Sequence, residues 1–216
     1  MKEQSISLAT KANKSGLYDY ILNPTEFFQN LNRSPKFLLP LLLLILSNTI
    51  FATVVSDIHF SSFQSHDIPD VVNVDELVDS NKLILLSVTT FISVAGQLLV
   101  TLGLSLFFYL VFNMFVFSNK IKYRNVFSLI LYTKIPGFIY AVLLSIYIIF
   151  TNDIVGLINP DPTLTESIKK VINPFNVWEL ILFGIAIHIL TKFSKRNAFI
   201  IVFVFAIAGV VIEQLI

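Results

Sequence analysis

Three ionisable side chains fall inside long apolar stretches of this sequence, namely Glu179, His188 and Glu213. Burying such groups in a bilayer is costly, so each is a candidate for function: a carboxylate for binding a proton or cation, a histidine for carrying a proton. The structural alternatives are helix-terminal carboxylates in hydrated headgroups and, for His188, a hydrogen bond between helices. Glu179 and His188 are nine positions apart and therefore face opposite sides of one helix.

Four uncharged polar side chains lie nearer the middle of the apolar stretches. In a helical bundle, such groups line a polar path or, more often, bond to neighbouring helices. They are Asn48, Gln97, Ser105 and Asn113.

Small residues recur on single helix faces and predict close helix packing. One set, Gly137, Ala141 and Ser145, repeats every four residues, and Gly96 and Gly103 are seven residues apart.

Recognisable catalytic and cofactor motifs are absent from the sequence. With no cysteine, the chain has no thiolate nucleophile and no Cys-ligated metal. It also lacks HExxH, GxSxG and phosphate-binding GxxxxGK[ST] patterns. His59 and His66, near Asp57 and Asp67, are spaced too loosely to define a metal site. We therefore expect a protein that is not an enzyme, with no cofactor, no metal and no nucleic-acid partner.

The composition explains which elements hold these residues. Of 216 residues, 55% are hydrophobic and only 13% are charged, about half the charged content of an ordinary soluble domain. The sequence therefore predicts an all-α, polytopic membrane bundle. Five spans are expected, at residues 37–55, 95–118, 137–151, 175–191 and 198–216.

The apolar run Leu83–Ser118 is too long for one simple span and has two possible interpretations. It is either a hairpin of two spans or one span with a protruding helix. Asn73 and Glu76 form a capping-box pattern, and no tight turn interrupts the run, which favours one helix with an outer extension from residue 74.

Lysine and arginine predict the orientation, because cytoplasmic flanks collect basic residues. With the N-terminus inside, the inner segments hold 12 of the 15 basic residues. The C-terminus is then outside. The inner residues are Lys2, Lys11, Lys14, Arg33, Lys36, Lys120, Lys122, Arg124, Lys134, Lys192, Lys195 and Arg196.

Three segments are not expected to span the bilayer. Residues 1–16 are polar and predict a disordered cytoplasmic tail. The membrane domain follows over residues 17–216 and contains the other two segments. Pro24–Leu31 predicts a short interfacial helix, with a docking linker as the alternative. Asn125–Lys134 predicts a helix half-inserted at the inner interface, with Lys134 reaching lipid phosphates.

Three motifs resemble the bacterial branch of the Yip-domain (Ypt-interacting protein) membrane family over residues 17–216. They are Leu22-Asn23-Pro24-Thr25-Glu26-Phe27-Phe28, Tyr132-Thr133-Lys134-Ile135-Pro136 and Ile172-Asn173-Pro174-Phe175-Asn176-Val177-Trp178. The resemblance implies a non-enzymatic membrane protein, linked in eukaryotes to Rab-dependent vesicle traffic and in some bacteria to ABC exporters and toxin resistance.

Two functions are consistent with these observations. The first is a scaffold or accessory subunit in a bacterial plasma membrane, contacting a membrane protein partner or a second copy of itself. The second is a small channel or secondary transporter that uses Asn48, Gln97, Ser105 and His188 as a polar path. At the inner surface, Lys120, Lys122, Arg124 and Lys134 are expected to face lipid headgroups. They either serve only as the signal that sets the orientation or also hold a platform for a partner.

Overall fold

The computed structural model describes residues 17–63, 74–115, 120–151 and 163–215. These residues form nine α-helices and contain no strand. The helices are α1 Leu17–Leu22, α2 Pro24–Arg33, α3 Leu38–Phe63, α4 Val74–Phe115, α5 Tyr123–Thr133, α6 Ile135–Thr151, α7 Leu164–Ile172, α8 Pro174–Thr191 and α9 Lys195–Leu215.

Four stretches of the described residues are long and apolar enough to cross a bilayer: Leu38–Ile58, Lys82–Phe115, Tyr123–Thr151 and Pro174–Thr191. The predicted fifth span corresponds to α9, which is not one of these four. The chain is an all-helical, multi-pass membrane protein, as the sequence predicts.

Helix α4 is unbroken over its 42 residues, with no hairpin turn between Leu83 and Phe115. It packs against α3. Hydroxyl groups connect the two helices: Ser56 donates to Thr89 at 3.2 Å, and the Thr53 and Thr90 oxygens are 3.3 Å apart. These short polar contacts fix the register of two otherwise apolar helices.

The position of α5 differs from the predicted half-inserted helix. Val126, Leu129, Ile130 and Leu131 are almost completely buried, because α2, α4 and α8 pack around α5. Only a short break at Lys134 separates α5 from α6, and together they form one 29-residue candidate span. The prediction of a half-inserted helix was wrong because most apolar residues of α5 are covered by protein rather than lipid.

Helix α2 is present where the sequence predicts a short N-terminal helix. Asn23 begins it: its side-chain oxygen accepts from the Glu26 N–H at 3.4 Å, and its amide donates to the Glu26 carboxylate at 2.9 Å. The apolar side of α2 buries Phe27, Phe28 and Leu31, and α2 packs on α8 and α5. The structure thus favours the docking alternative over a helix lying on lipid.

Several predictions lie outside the described residues. They concern the tail over residues 1–16, Asn73, His66 and Asp67, and the side chains of His59, Glu76 and Glu213.

Candidate functional site

The first part of the site is the beginning of α8. Asn173 caps this helix by accepting a hydrogen bond from the Phe175 N–H at 2.9 Å, and Pro174 occupies the first turn, where its missing N–H has no cost. One turn further on, Trp178 and Glu179 are half-buried in the protein.

The second part is the break between α5 and α6, which Pro136 explains. In a continuous helix, the N–H of residue 136 would bond the carbonyl of Tyr132, but proline has no N–H to donate. The Tyr132 carbonyl instead accepts a hydrogen bond from the Tyr20 hydroxyl at 3.1 Å. The proline therefore frees an acceptor that fastens the N-terminal helix α1 to the bundle.

Tyr20 belongs to a cluster of aromatic rings from α1, α2, α5 and α8. Its ring centroid lies 6.1 Å from that of Trp178, and the Phe27 centroid lies 5.0 Å from that of Tyr132. Tyr20 is 2% exposed. Burial, and secondarily the negative charge of Glu179, raise the pKa of Tyr20 well above its usual value, so its hydroxyl remains a donor.

An ion pair between Lys134 and Glu179 joins the two parts of the site. Glu179 is 12 residues before the end of α8 and Lys134 is 11 residues after the start of α5. At 1.5 Å per residue, both lie about 17 Å from those helix ends, and Glu179 lies about 8 Å from the start of its own span, so both charges are inside candidate spans. A bilayer-buried charge is expected to pair with its opposite, and these two do so.

Gly137 makes room for this pair. A Cβ atom at residue 137 would lie 3.2 Å from the Glu179 carboxylate oxygen Oε2, which is tighter than ordinary van der Waals contact. The absence of a side chain at this position lets the carboxylate approach α6 and meet Lys134.

The three sequence segments that meet here are those of the predicted family motifs, and a family profile decides the assignment. The profile of the Yip1 domain matches residues 18–213, nearly the whole chain. The chain belongs to the Yip1-domain family. Comparison with curated proteins and with solved structures gives no significant match.

The motif residues of this Yip1 domain have separate structural roles. Asn23 with Pro24, and Asn173 with Pro174, begin helices α2 and α8. Pro136 breaks the helix beside Lys134. Trp178 packs on Tyr20, and the Phe175 ring lies 5.5 Å from that of Tyr140 on α6.

The structure differs from the expectations for Lys134 and Glu179. Lys134 was expected to reach lipid phosphates and Glu179 to lie in outer headgroups, yet the two side chains bind each other. Sequence reasoning assigned them to opposite surfaces because it treated α5 as an interfacial helix. Apart from Arg124 at the very start of one span, Lys134 and Glu179 are the charged residues of the candidate spans Tyr123–Thr151 and Pro174–Thr191, and that was the signal that they pair.

The other predicted polar residues bond mainly within their own helices. Asn48 donates to the Leu44 carbonyl at 2.9 Å and Ser105 to the Thr101 carbonyl at 2.7 Å. His188 Nδ1 lies 2.5 Å from the Phe193 carbonyl, in the turn after α8, so it does not make the expected interhelical bond. Gln97 is half-buried on α4.

Asn113 stabilises the connection between α4 and α5. Its side-chain amide donates to the Tyr109 carbonyl at 2.9 Å and to the Ile121 carbonyl at 3.3 Å, while its oxygen accepts from the Ile121 N–H at 3.0 Å. This asparagine therefore orients the start of the segment that carries Lys134.

The small residues divide into two groups. Gly137 is close to α8, and the buried Ser145 donates to the Ala141 carbonyl at 2.8 Å. Gly96 and Gly103 have no atom within 4 Å of an added Cβ, so they make no close packing among the residues that the structure describes.

Gly184 was missed by the sequence reasoning. A Cβ there would lie 2.7 Å from the Phe199 ring, so Gly184 is where α8 and α9 pack closely. Nothing in the sequence indicated that Phe199 faces it.

A cavity of about 280 Å³ adjoins the ion pair, between α4, α5, α8 and α9. Apart from Lys134, Glu179 and Thr133, its lining is apolar, with Phe108, Phe183 and other side chains. No group of three or more His, Asp or Glu side chains in the described part of the chain has the arrangement of a metal site.

Proposed function

We propose that this Yip1 domain is a non-enzymatic scaffold or accessory subunit that acts by helix contact with another membrane protein. The supporting observation is that two charges inside the candidate spans, Lys134 and Glu179, are used to hold the chain together. Asn48, Ser105 and His188 likewise bond within their own helix or the following turn. These groups therefore serve the bundle's own structure.

The outward side of α4 is the surface proposed for the partner. Val100, Phe107, Leu110 and Met114 are exposed along it, and Gly103 leaves an open gap among them. An apolar helix face with a small-residue gap fits a helix of another membrane protein or of a second copy. We propose an ABC-type exporter, or another complex for toxin or stress resistance, as the partner.

The proposed arrangement is five spans, with the N-terminus in the cytoplasm and the C-terminus outside, in a bacterial plasma membrane. The four candidate spans and the helical α9 support the number. The concentration of basic residues in the segments assigned to the inside supports the orientation.

Purification after crosslinking in the native membrane tests the scaffold proposal. The wild type and a Gly209→Ile control should recover the same membrane partner, and Gly103→Ile should lose it. At both glycines an added Cβ has no atom within 4 Å in the described part of the chain, so both positions have room for a side chain. Recovery of the wild-type chain alone, or equal recovery from both variants, would contradict the proposal.

A second candidate function, a small channel or secondary transporter, is favoured by one observation. The cavity beside Lys134 and Glu179 provides charged groups at membrane depth. Solute or ion flux into proteoliposomes, abolished by Glu179→Gln but retained in Glu26→Gln on the exposed surface of α2, would support transport. Flux equal to that of empty vesicles would support the scaffold.

A further inference from the structure

A basic pocket lies at one end of the bundle, where the candidate spans end or begin. It is formed by the end of α2 with the residues after it, by the segment that leads into α5 with the start of that helix, and by the end of α8. The adjoining candidate spans start at Leu38 and Tyr123 and end at Phe115 and Thr191. The pocket is therefore at the level of lipid headgroups rather than in the hydrocarbon core.

The lining of this pocket carries positive charge only. Its volume is about 470 Å³, and no acidic residue lines it. All five of its basic side chains are exposed. They are Arg33, Lys120, Lys122, Arg124 and Lys192.

Most of these cations are available to a ligand. Arg124 donates one bond to the Pro35 carbonyl at 3.2 Å, which holds its guanidinium in place and leaves its other N–H groups free to donate. Within the described residues, Arg33, Lys120, Lys122 and Lys192 form no salt bridge. Repulsion among five cations with no acid beside them is relieved by a bound anion.

Two structural features hold the pocket in shape. The Asn125 amide donates to the backbone and side-chain oxygens of Asn32, both at 2.8 Å, and so connects the two basic segments. Lys192 adopts a left-handed backbone conformation with φ of 60° at the end of α8. A non-glycine residue is rarely found there, so this turn is specifically held.

We propose that this pocket binds the phosphate of an anionic phospholipid headgroup. Arginine forks and lysine ammonium groups are the donors that recognise phosphate, and the volume exceeds that of one phosphate ion, which leaves room for a glycerol-sized group. Ile121, Ile189 and Leu190 line the pocket beside the cations and provide apolar contact for the glycerol backbone and upper chains. Basic pockets between membrane helices bind anionic headgroups elsewhere by the same chemistry.

The test uses the full chain in nanodiscs containing equal parts of phosphatidylethanolamine and phosphatidylglycerol, followed by native mass spectrometry of retained lipid. The wild type should retain phosphatidylglycerol selectively. Selectivity should fall about tenfold in the Arg33→Gln/Lys122→Gln variant. It should persist in Lys195→Gln/Arg196→Gln, which removes two cations from α9, and in the charge-preserving Arg33→Lys/Lys122→Arg.

Three outcomes would overturn the proposal. If the wild type does not retain phosphatidylglycerol selectively, the pocket is not a lipid site, and this result does not depend on any variant. Equal loss in the two neutralising variants assigns the effect to general surface charge. Displacement of the lipid by soluble glycerol phosphate at matched concentration assigns the pocket to a free phosphate compound instead.

Discussion

At the scale of single residues, the site depends on groups that are absent as much as on groups that are present. Pro136 lacks the N–H that would occupy the Tyr132 carbonyl, and Tyr20 donates to that carbonyl. Gly137 lacks the side chain that would press on the Glu179 carboxylate. Both absences act within one helical turn of Lys134, so the neighbouring residues Lys134, Pro136 and Gly137 together shape this part of the site.

Gly137→Ala tests the second of these absences. The added methyl group would lie 3.2 Å from the Glu179 Oε2 atom and force the carboxylate to move, so we expect a loss of about 1–2 kcal/mol from strain and a weakened ion pair. Gly103→Ala is the matched control, because open space surrounds Gly103. Thermal unfolding in detergent measures the stability of both alanine variants. Equal melting temperatures for the two would show that the Glu179 carboxylate does not need the space at Gly137.

At the scale of elements, α1 and α2 act as a clamp across α5 and α8. The clamp depends on buried aromatic rings more than on polar contacts, since Phe28 is fully buried and Tyr20 nearly so. Helix α2 runs beside α8 and connects directly to α3, which begins at Leu38. The N-terminal segment is therefore part of the bundle's core.

Phe28→Ala should release this clamp. Removing a fully buried phenylalanine ring costs about 3–5 kcal/mol, so we expect faster tryptic cleavage after Arg33 and a lower melting temperature. Phe91→Ala is the control, because Phe91 on α4 is 74% exposed. If the two variants are cleaved at Arg33 at the same rate, the Phe28 ring does not hold α2 against the bundle.

The sequence predicted the beginnings of α2 and α8 because their signals are local. An asparagine followed by proline specifies a helix start without reference to the rest of the chain, as Asn23 and Asn173 show. The position of α5 and the contact of Lys134 with Glu179 are not local, since 45 residues separate the pair. An apolar helix has the same sequence pattern whether lipid or protein surrounds it. The burial of α5 against other helices was therefore not predictable from its own residues.

At the scale of the whole molecule, charge is separated by position. A pair of opposite charges lies inside the bundle, while uncompensated basic residues line a pocket at one end. The apolar side of α4 is exposed on the outside of the bundle. This distribution suits a protein that binds lipid headgroups and a membrane partner at its surface and uses its inner charges for cohesion.

Single cysteines placed in this cysteine-free chain test the proposed topology. Cysteine at Ser62 or Thr163 should react with a membrane-impermeant maleimide in intact cells, because both are assigned to the outside. Cysteine at Asn119 or Ser194 should react only after permeabilisation. Labelling of position 119 in intact cells would contradict the inner assignment of the α4–α5 connection and the five-span arrangement.

The central claim is that Lys134 and Glu179 bind each other inside the bundle, and charge reversal tests it most directly. Lys134→Glu and Glu179→Lys each place two like charges together, and either should lower the free energy of unfolding by about 3 kcal/mol or more. The double variant Lys134→Glu/Glu179→Lys restores an attractive pair. Thermal unfolding in detergent, analysed as a double-mutant cycle, should show that the double variant recovers most of the stability lost by either single one. Additive losses in the double variant would contradict the pairing and, with it, this account of the site.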